Sequence, residues 1–166
     1  MVVVTIIGLL AAIAIPAFNR AVRRTKTSEA VVNLRRMFDG AVTSFQSDEV
    51  TRNGEGMAGQ FPLTVAPSPG LNACCEATAD RGICPGDASN FSAETWQQLQ
   101  FAITDPHYYW YEFVSAGSGS SARFTSRASG NLDCDATFST FERLGYIDLM
   151  EGIVGGAGLY TNHPLE

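Results

Sequence analysis

The apolar positions fall into three regimes along the chain. Residues 1–18 (MVVVTIIGLLAAIAIPAF) are apolar on every side, with no charge and a single polar side chain, Thr5. From Val31 the apolar residues settle into steps of three and four, through Leu34, Phe38, Ala41, Val42 and Phe45, while Arg35, Arg36, Asp39 and Thr43 fall off that stripe. This spacing predicts a core-forming helical face. Beyond residue 107 the pattern shortens to that of strands. Tyr108 to Val114 is aromatic and β-branched, the turn AGSGSS follows, and two further strands are predicted over Ala122–Ala128 and Thr137–Arg143. Between these regimes, residues 47–91 are rich in Gly, Pro, Ser, Asp and Asn and predict a long irregular connector. Ser92 is placed to cap a short helix running to about Gln100, with Trp96 and Leu99 facing inward.

One helix running unbroken from the start to about Gln46 would be about 70 Å long, far longer than a small domain is wide. Its first half therefore projects. The division that follows is an apolar half-helix, 1–24, and a head, 25–166, that includes the rest of the helix. Eighteen helical residues cover about 27 Å, close to the thickness of a bilayer core. A cleaved signal peptide is the competing reading, with an Ala-x-Ala site at Ala12–Ala14, but no basic segment precedes the run. Pro16 removes a helical donor opposite Ala12, and Gly8 is a poor helix former, so the stretch is one that can loosen when repacked.

Charge divides the chain at the same place. Residues 1–47 carry six bases and two acids, a net of +4, and residues 48–166 carry five bases and fifteen acids, a net of −10. Acidity of this bulk argues against a nucleic-acid-coating protein. The band Arg20, Arg23, Arg24 and Lys26 is read instead as packing against acidic surfaces of neighbouring subunits. Counted alone, that band would hold the head in the cytoplasm. The four cysteines, Cys74, Cys75, Cys84 and Cys134, point to an oxidising compartment and two disulfides. Adjacent Cys74 and Cys75 do not pair with each other. Either Cys74 pairs with Cys84 and Cys75 with Cys134, or the partners are exchanged. Zinc is disfavoured, because the cysteines lack Cys-x-x-Cys spacing and His107 and His163 are remote in sequence.

The string IIGLLAAIAIPAF, Ile6 to Phe18, resembles the N-terminal helix of type IV pilins and of the related type II secretion pseudopilins. The resemblance implies an α+β pilin fold: a long N-terminal helix, with a projecting apolar half, packed on an antiparallel sheet of three to four strands with disulfide-tied loops. It implies filament assembly through Ile6, Ile7, Gly8, Leu9, Leu10, Ile13, Ile15, Pro16 and Phe18. It further implies residence in the inner membrane of a Gram-negative bacterium before export into an extracellular pilus. Identical subunits, the pilus assembly machinery and a prepilin peptidase would be its partners. Family members begin with a basic leader and a mature start resembling Phe-Thr-Leu-Ile-Glu-Leu. Met1 follows directly on that string, so the leader, the methylated N-terminal residue and the docking glutamate are not among these residues. A leader would resolve the charge conflict by supplying cytoplasmic positive charge. The alternatives are a secretion pseudopilin and a membrane-anchored periplasmic binding domain that does not polymerise.

Calcium is the one metal the spacing suggests. Asn131, Asp133, Asp135, Thr137, Ser139 and Glu142 occupy ligand positions of an EF-hand loop, although Ala136 stands where that loop needs glycine. Pseudopilins bind calcium through a C-terminal acidic loop, so the resemblance allows it too. The competing reading is a polar hairpin turn. No nucleophile elbow, phosphate loop, zinc-protease or dinucleotide motif occurs, and a structural rather than enzymatic role is expected. Asn90-Phe91-Ser92 is a formal glycosylation sequon. The Gly-rich tail from Glu151 to Glu166 is expected to be irregular, anchored by Leu159 or Tyr160.

Overall fold

A computed structural model describes residues 2–48, 59–71, 73–76, 82–156 and 158–165. Met1 and parts of the connector therefore lie outside the described residues. The chain is an α+β structure: one long helix, α1 (Val2–Asp48), laid against a six-stranded antiparallel sheet. The strands are β1 (Val65–Ser68), β2 (Tyr109–Ala116), β3 (Arg123–Gly130), β4 (Ser139–Asp148), β5 (Gly152–Gly155) and β6 (Tyr160–Asn162). They run in the order β1-β2-β3-β4-β5, and β6 pairs with the first half of the same β4 edge that β5 occupies further on. Two short helices, α2 (Ala73–Glu76) and α3 (Glu94–Gln98), sit in the connections.

Alternation along the strands sorts the sheet into two faces. Tyr109, Tyr111 and Phe113 of β2 lie beside Ala128, Phe124 and Phe141 of the next two strands, and all are buried under α1. The helix meets them with Ala30, Leu34, Met37, Ala41 and Phe45, fully or nearly fully buried, and Phe38 half-buried. The buried stripe is set one residue back from the predicted one at its start. Ala30 is in the core, and Val31, expected there, is 45% exposed. At that level Glu29 and Asn33 also join the helix to Tyr111 of β2 through hydrogen bonds.

Gly40 does not end the helix, which runs on to Asp48. Its role is clearance. A methyl at Gly40 would overlap the backbone carbonyl of Leu99, the residue closing α3. The capping prediction for α3 is corrected: its N-cap is Ala93, without a side-chain hydrogen bond, while Ser92 closes a preceding 3₁₀ turn, Ala88–Phe91, that Asp87 caps. Trp96 and Leu99 are buried as expected.

The connector is more ordered than its composition predicts. Phe61 inserts between Phe45 and Phe124, with ring centroids 4.7 and 4.6 Å away. Residues 62–68 are stitched to the sheet as β1 and through side chains. The Ser115 amide donates to Thr64 Oγ1 at 3.0 Å, Thr95 Oγ1 to the Leu63 carbonyl at 2.9 Å, and Trp96 Nε1 to Ser68 Oγ at 3.1 Å. Of the two open disulfide patterns, the structure has Cys74–Cys84 and Cys75–Cys134. The first buries its sulfurs with Trp110 in a small second core.

The tail is a further correction. It carries β5 and β6, which together with β1 of the connector raise the sheet from the expected three to four strands to six. Strands of four and three residues within a glycine-rich tail have little local signal, and they form here because β4 offers ten residues of free edge. Leu159 packs on the core, whereas Tyr160 is exposed.

Two stability predictions follow from this packing. Gly40→Ala forces a backbone apart rather than a flexible side chain, and is expected to cost about 1–3 kcal/mol, seen as a lowered midpoint in thermal denaturation. Loss of Cys75–Cys134, which closes a separation of 59 residues, is expected to cost about 4 kcal/mol. Loss of Cys74–Cys84, which closes 10, is expected to cost about 3 kcal/mol, so paired Cys→Ala variants should rank in that order in denaturant titration.

Candidate assembly interface

Among the described residues, the largest exposed apolar surface is the first half of α1. From Ile6, at 53% exposed, to Ile13 and Phe18, at 69%, none of the predicted assembly residues touches the head. The most apolar eighteen-residue window of this helix has none of its residues buried. Gly8 has open space where a side chain would be, and Pro16 lies inside an unbroken helix. The head stops covering the helix below about residue 23. A cylinder of apolar side chains about 27 Å long cannot face water at this density, so lipid or protein must cover it. Its length and composition are compatible with membrane anchoring.

The boundary between bare and covered helix is built from charges. Arg23 donates from Nη2 to Asp133 Oδ2 at 3.0 Å and from Nη1 to the Leu165 carbonyl at 2.8 Å. One guanidinium thus ties the helix to the disulfide-held loop after β3 and to the end of the tail. Lys26 lies over the Tyr108 ring, 4.4 Å from its centroid. Two of the four bases predicted to face neighbouring subunits are therefore engaged by their own head. Arg20 and Arg24 are exposed and make no ion pair among the described residues.

One turn further, Glu29 faces the start of β2. Its carboxylate accepts hydrogen bonds from the Tyr108 amide, at 3.2 Å, and from Tyr111 Oη, at 3.0 Å, and Asn33 Nδ2 donates to the same phenol at 2.8 Å. Burial pushes the Tyr111 phenol well up, so it stays neutral. Sequence reasoning missed this cluster, because Glu29 and Tyr111 lie 82 positions apart. A polar residue on an otherwise core-facing helical position, seen at Glu29 and again at Asn33, was the available signal.

The calcium candidates are not brought together. Glu142 lies on the outer face of β4, where Arg127 joins it, at 2.6 Å, and Glu112, at 2.7 Å, into a ladder across three strands. Asp133 pairs with Arg23, Asn131 clamps the backbone of Asp135 through both its amide atoms, and Asp135 caps the Thr137 amide. Among the described residues no three His, Cys, Asp or Glu side chains converge as a metal site. The EF-hand spacing assumes a loop throughout, but from Ser139 the chain is a strand whose side chains alternate between faces.

Comparison with known protein families, curated proteins and solved structures finds no match.

Burial pushes the Glu29 carboxyl above its ordinary value, against the lowering effect of its hydrogen bonds from Tyr108, Tyr111 and Tyr109. A carboxyl raised in this way holds its proton more tightly folded than unfolded. Its stabilising contribution is complete below the unfolded pKa and is lost as pH rises through the folded one. Burial lowers His107, whose contribution instead falls away as pH drops below the ordinary imidazole range. Glu29→Gln keeps an acceptor for Tyr108 and Tyr111 but removes the titration. Thermal melts of this variant should lack the decline that the parent chain shows as pH rises from the ordinary carboxylate range towards neutrality.

Proposed function

We propose that this chain is a type IV pilin, the structural subunit of an extracellular pilus. The observation that carries the reading is the uncovered apolar half of α1 on a disulfide-tied α+β head. Before assembly this half-helix sits in the inner membrane, with the head on the oxidising side, where both disulfides form. On assembly it exchanges lipid for the half-helices of other copies, which bury it in the filament core. Each copy then uses one surface to hold the next, a heterologous contact that does not close and so grows as a helical polymer. Pro16 and Gly8 suit this exchange, since a helix weakened there can adjust when lipid is replaced by protein.

In this reading the chain passes through a prepilin peptidase and an inner-membrane assembly machine before it polymerises. The head contributes the filament surface, and its net acidity keeps that surface soluble. The function is attachment, motility or uptake performed by the filament, and chemistry within the subunit plays no part.

Removal of detergent from the purified full chain should produce filaments visible by negative-stain electron microscopy. Leu10→Glu places a carboxylate at the centre of the apolar half, at a cost of about 2.5–3.5 kcal/mol in lipid. That variant should lower both membrane retention and filament yield by about a hundredfold. Protein that remains monomeric without detergent, with no filaments on expressing cells, overturns the reading.

A further inference from the structure

Leu149 and Met150, at the turn joining β4 to β5, are 87% and 96% exposed, more than any other large apolar side chains among the described residues. The turn that presents them is built rather than loose. Asp148 Oδ1 accepts from the amides of Met150, at 2.8 Å, and Glu151, at 3.1 Å. These hydrogen bonds hold the Asp148 carboxyl below its ordinary value, so the tip carries two acids, Asp148 and Glu151, around two apolar side chains. A tip already ordered loses little conformational freedom on docking.

The complementary surface is on the same chain. Arg24, Val31 and Arg35 are separated by seven and four residues, which at 3.6 residues per turn puts them in one line on α1. All three are exposed, on the side turned from the sheet, with Val32 beside them at 58%. Neither arginine makes an ion pair among the described residues, and Asp39 is the one acid at this edge. Two exposed valines lying between two cations on α1 are thus opposite in charge, and alike in apolar character, to an apolar tip carrying two anions.

We propose that the β4–β5 turn is an assembly knob that docks on this strip of α1 in a second copy of the chain. The inference rests on the reading that copies assemble, and it names the surfaces that would meet. Knob and strip are different surfaces of the chain, so the contact is heterologous and grows as a polymer when its rotation does not close a ring. A lipid surface is a poorer match, because two carboxylates beside the apolar tip are repelled by anionic headgroups. The outer-sheet groove of Val114, Leu144 and Tyr146 is poorer too, since its lining supplies Arg123 as its one cation.

The test replaces Met150 by the photo-crosslinking residue p-benzoylphenylalanine in full-length chain, mixed with isotopically heavy chain, assembled and irradiated. Mass spectrometry should place light–heavy crosslinks within residues 20–36. Crosslinks to the outer-sheet groove or to lipid, or filaments without inter-chain crosslinks, overturn the proposal. Glu151→Arg and Arg35→Glu should each lower sedimentable filament about tenfold. The two combined should return to within about twofold of the parent chain, whereas losses that simply multiply refute the pairing. Thermal melts of each variant in detergent should match the parent, since all these side chains are exposed. Parent chain that forms no filaments sinks this proposal together with the function above. Parent filaments whose crosslinks map elsewhere sink the knob alone.

Discussion

The seam between the second half of α1 and the inner face of β2, β3 and β4 is the contact on which everything else in this molecule depends. It buries Leu34, Met37, Ala41 and Phe45 against Tyr111, Phe113, Phe124 and Phe141. Leu34, Met37 and the phenylalanines each contribute on the order of 1.5–3 kcal/mol when fully removed from water. That seam stops near residue 29, while the helix goes on for about another 40 Å towards its start. The head is held firmly to a rod that it can only half cover. The exposed remainder is therefore not a folding defect but a surface awaiting a different solvent, lipid or protein.

The end of the seam is where polar chemistry gathers. Above it the helix and sheet are joined by apolar packing, and below about residue 23 the helix stands exposed. At the transition Arg23, Lys26, Glu29 and Asn33 take over in succession, using an ion pair, an aromatic face, backbone amides and a phenol. Each of these groups keeps contact with the head where apolar matching has run out. The Arg23–Asp133 pair is a third exposed and adds little energy by itself. Its value is positional, because the same guanidinium reaches the tail and the loop that Cys75–Cys134 holds.

Much of this was readable along the chain. The apolar run, the stripe through Leu34 and Phe45, the aromatic strand and the inward Trp96 all follow from periodicity, which is a local property. What periodicity missed shares one cause. The short segments at Gly152–Gly155 and Tyr160–Asn162 are strands only because β4 stands open beside them. Ser92 lost the capping position because Asp87 already orders a 3₁₀ turn there. The calcium spacing did not foresee that Glu142 pairs with Arg127 on the neighbouring strand. Gly40 sits mid-helix as the predicted unbroken helix requires, and the clearance it provides has its reason in Leu99, far away in sequence.

From its sequence alone this chain is an α+β head carrying an uncharged apolar helix, positively charged below and acidic above, with four cysteines to form two disulfides. Those properties depend on composition and on spacing within one element, which no partner strand can alter. Only the tertiary structure decided which cysteines pair, which edge the tail completes, and which basic residues the head keeps for itself. Each of those outcomes is a competition between partners distant in the chain, and geometry chooses the winner. The charge band is the clearest case: Arg23 and Lys26 turn inward to Asp133 and Tyr108, while Arg20 and Arg24 stay exposed.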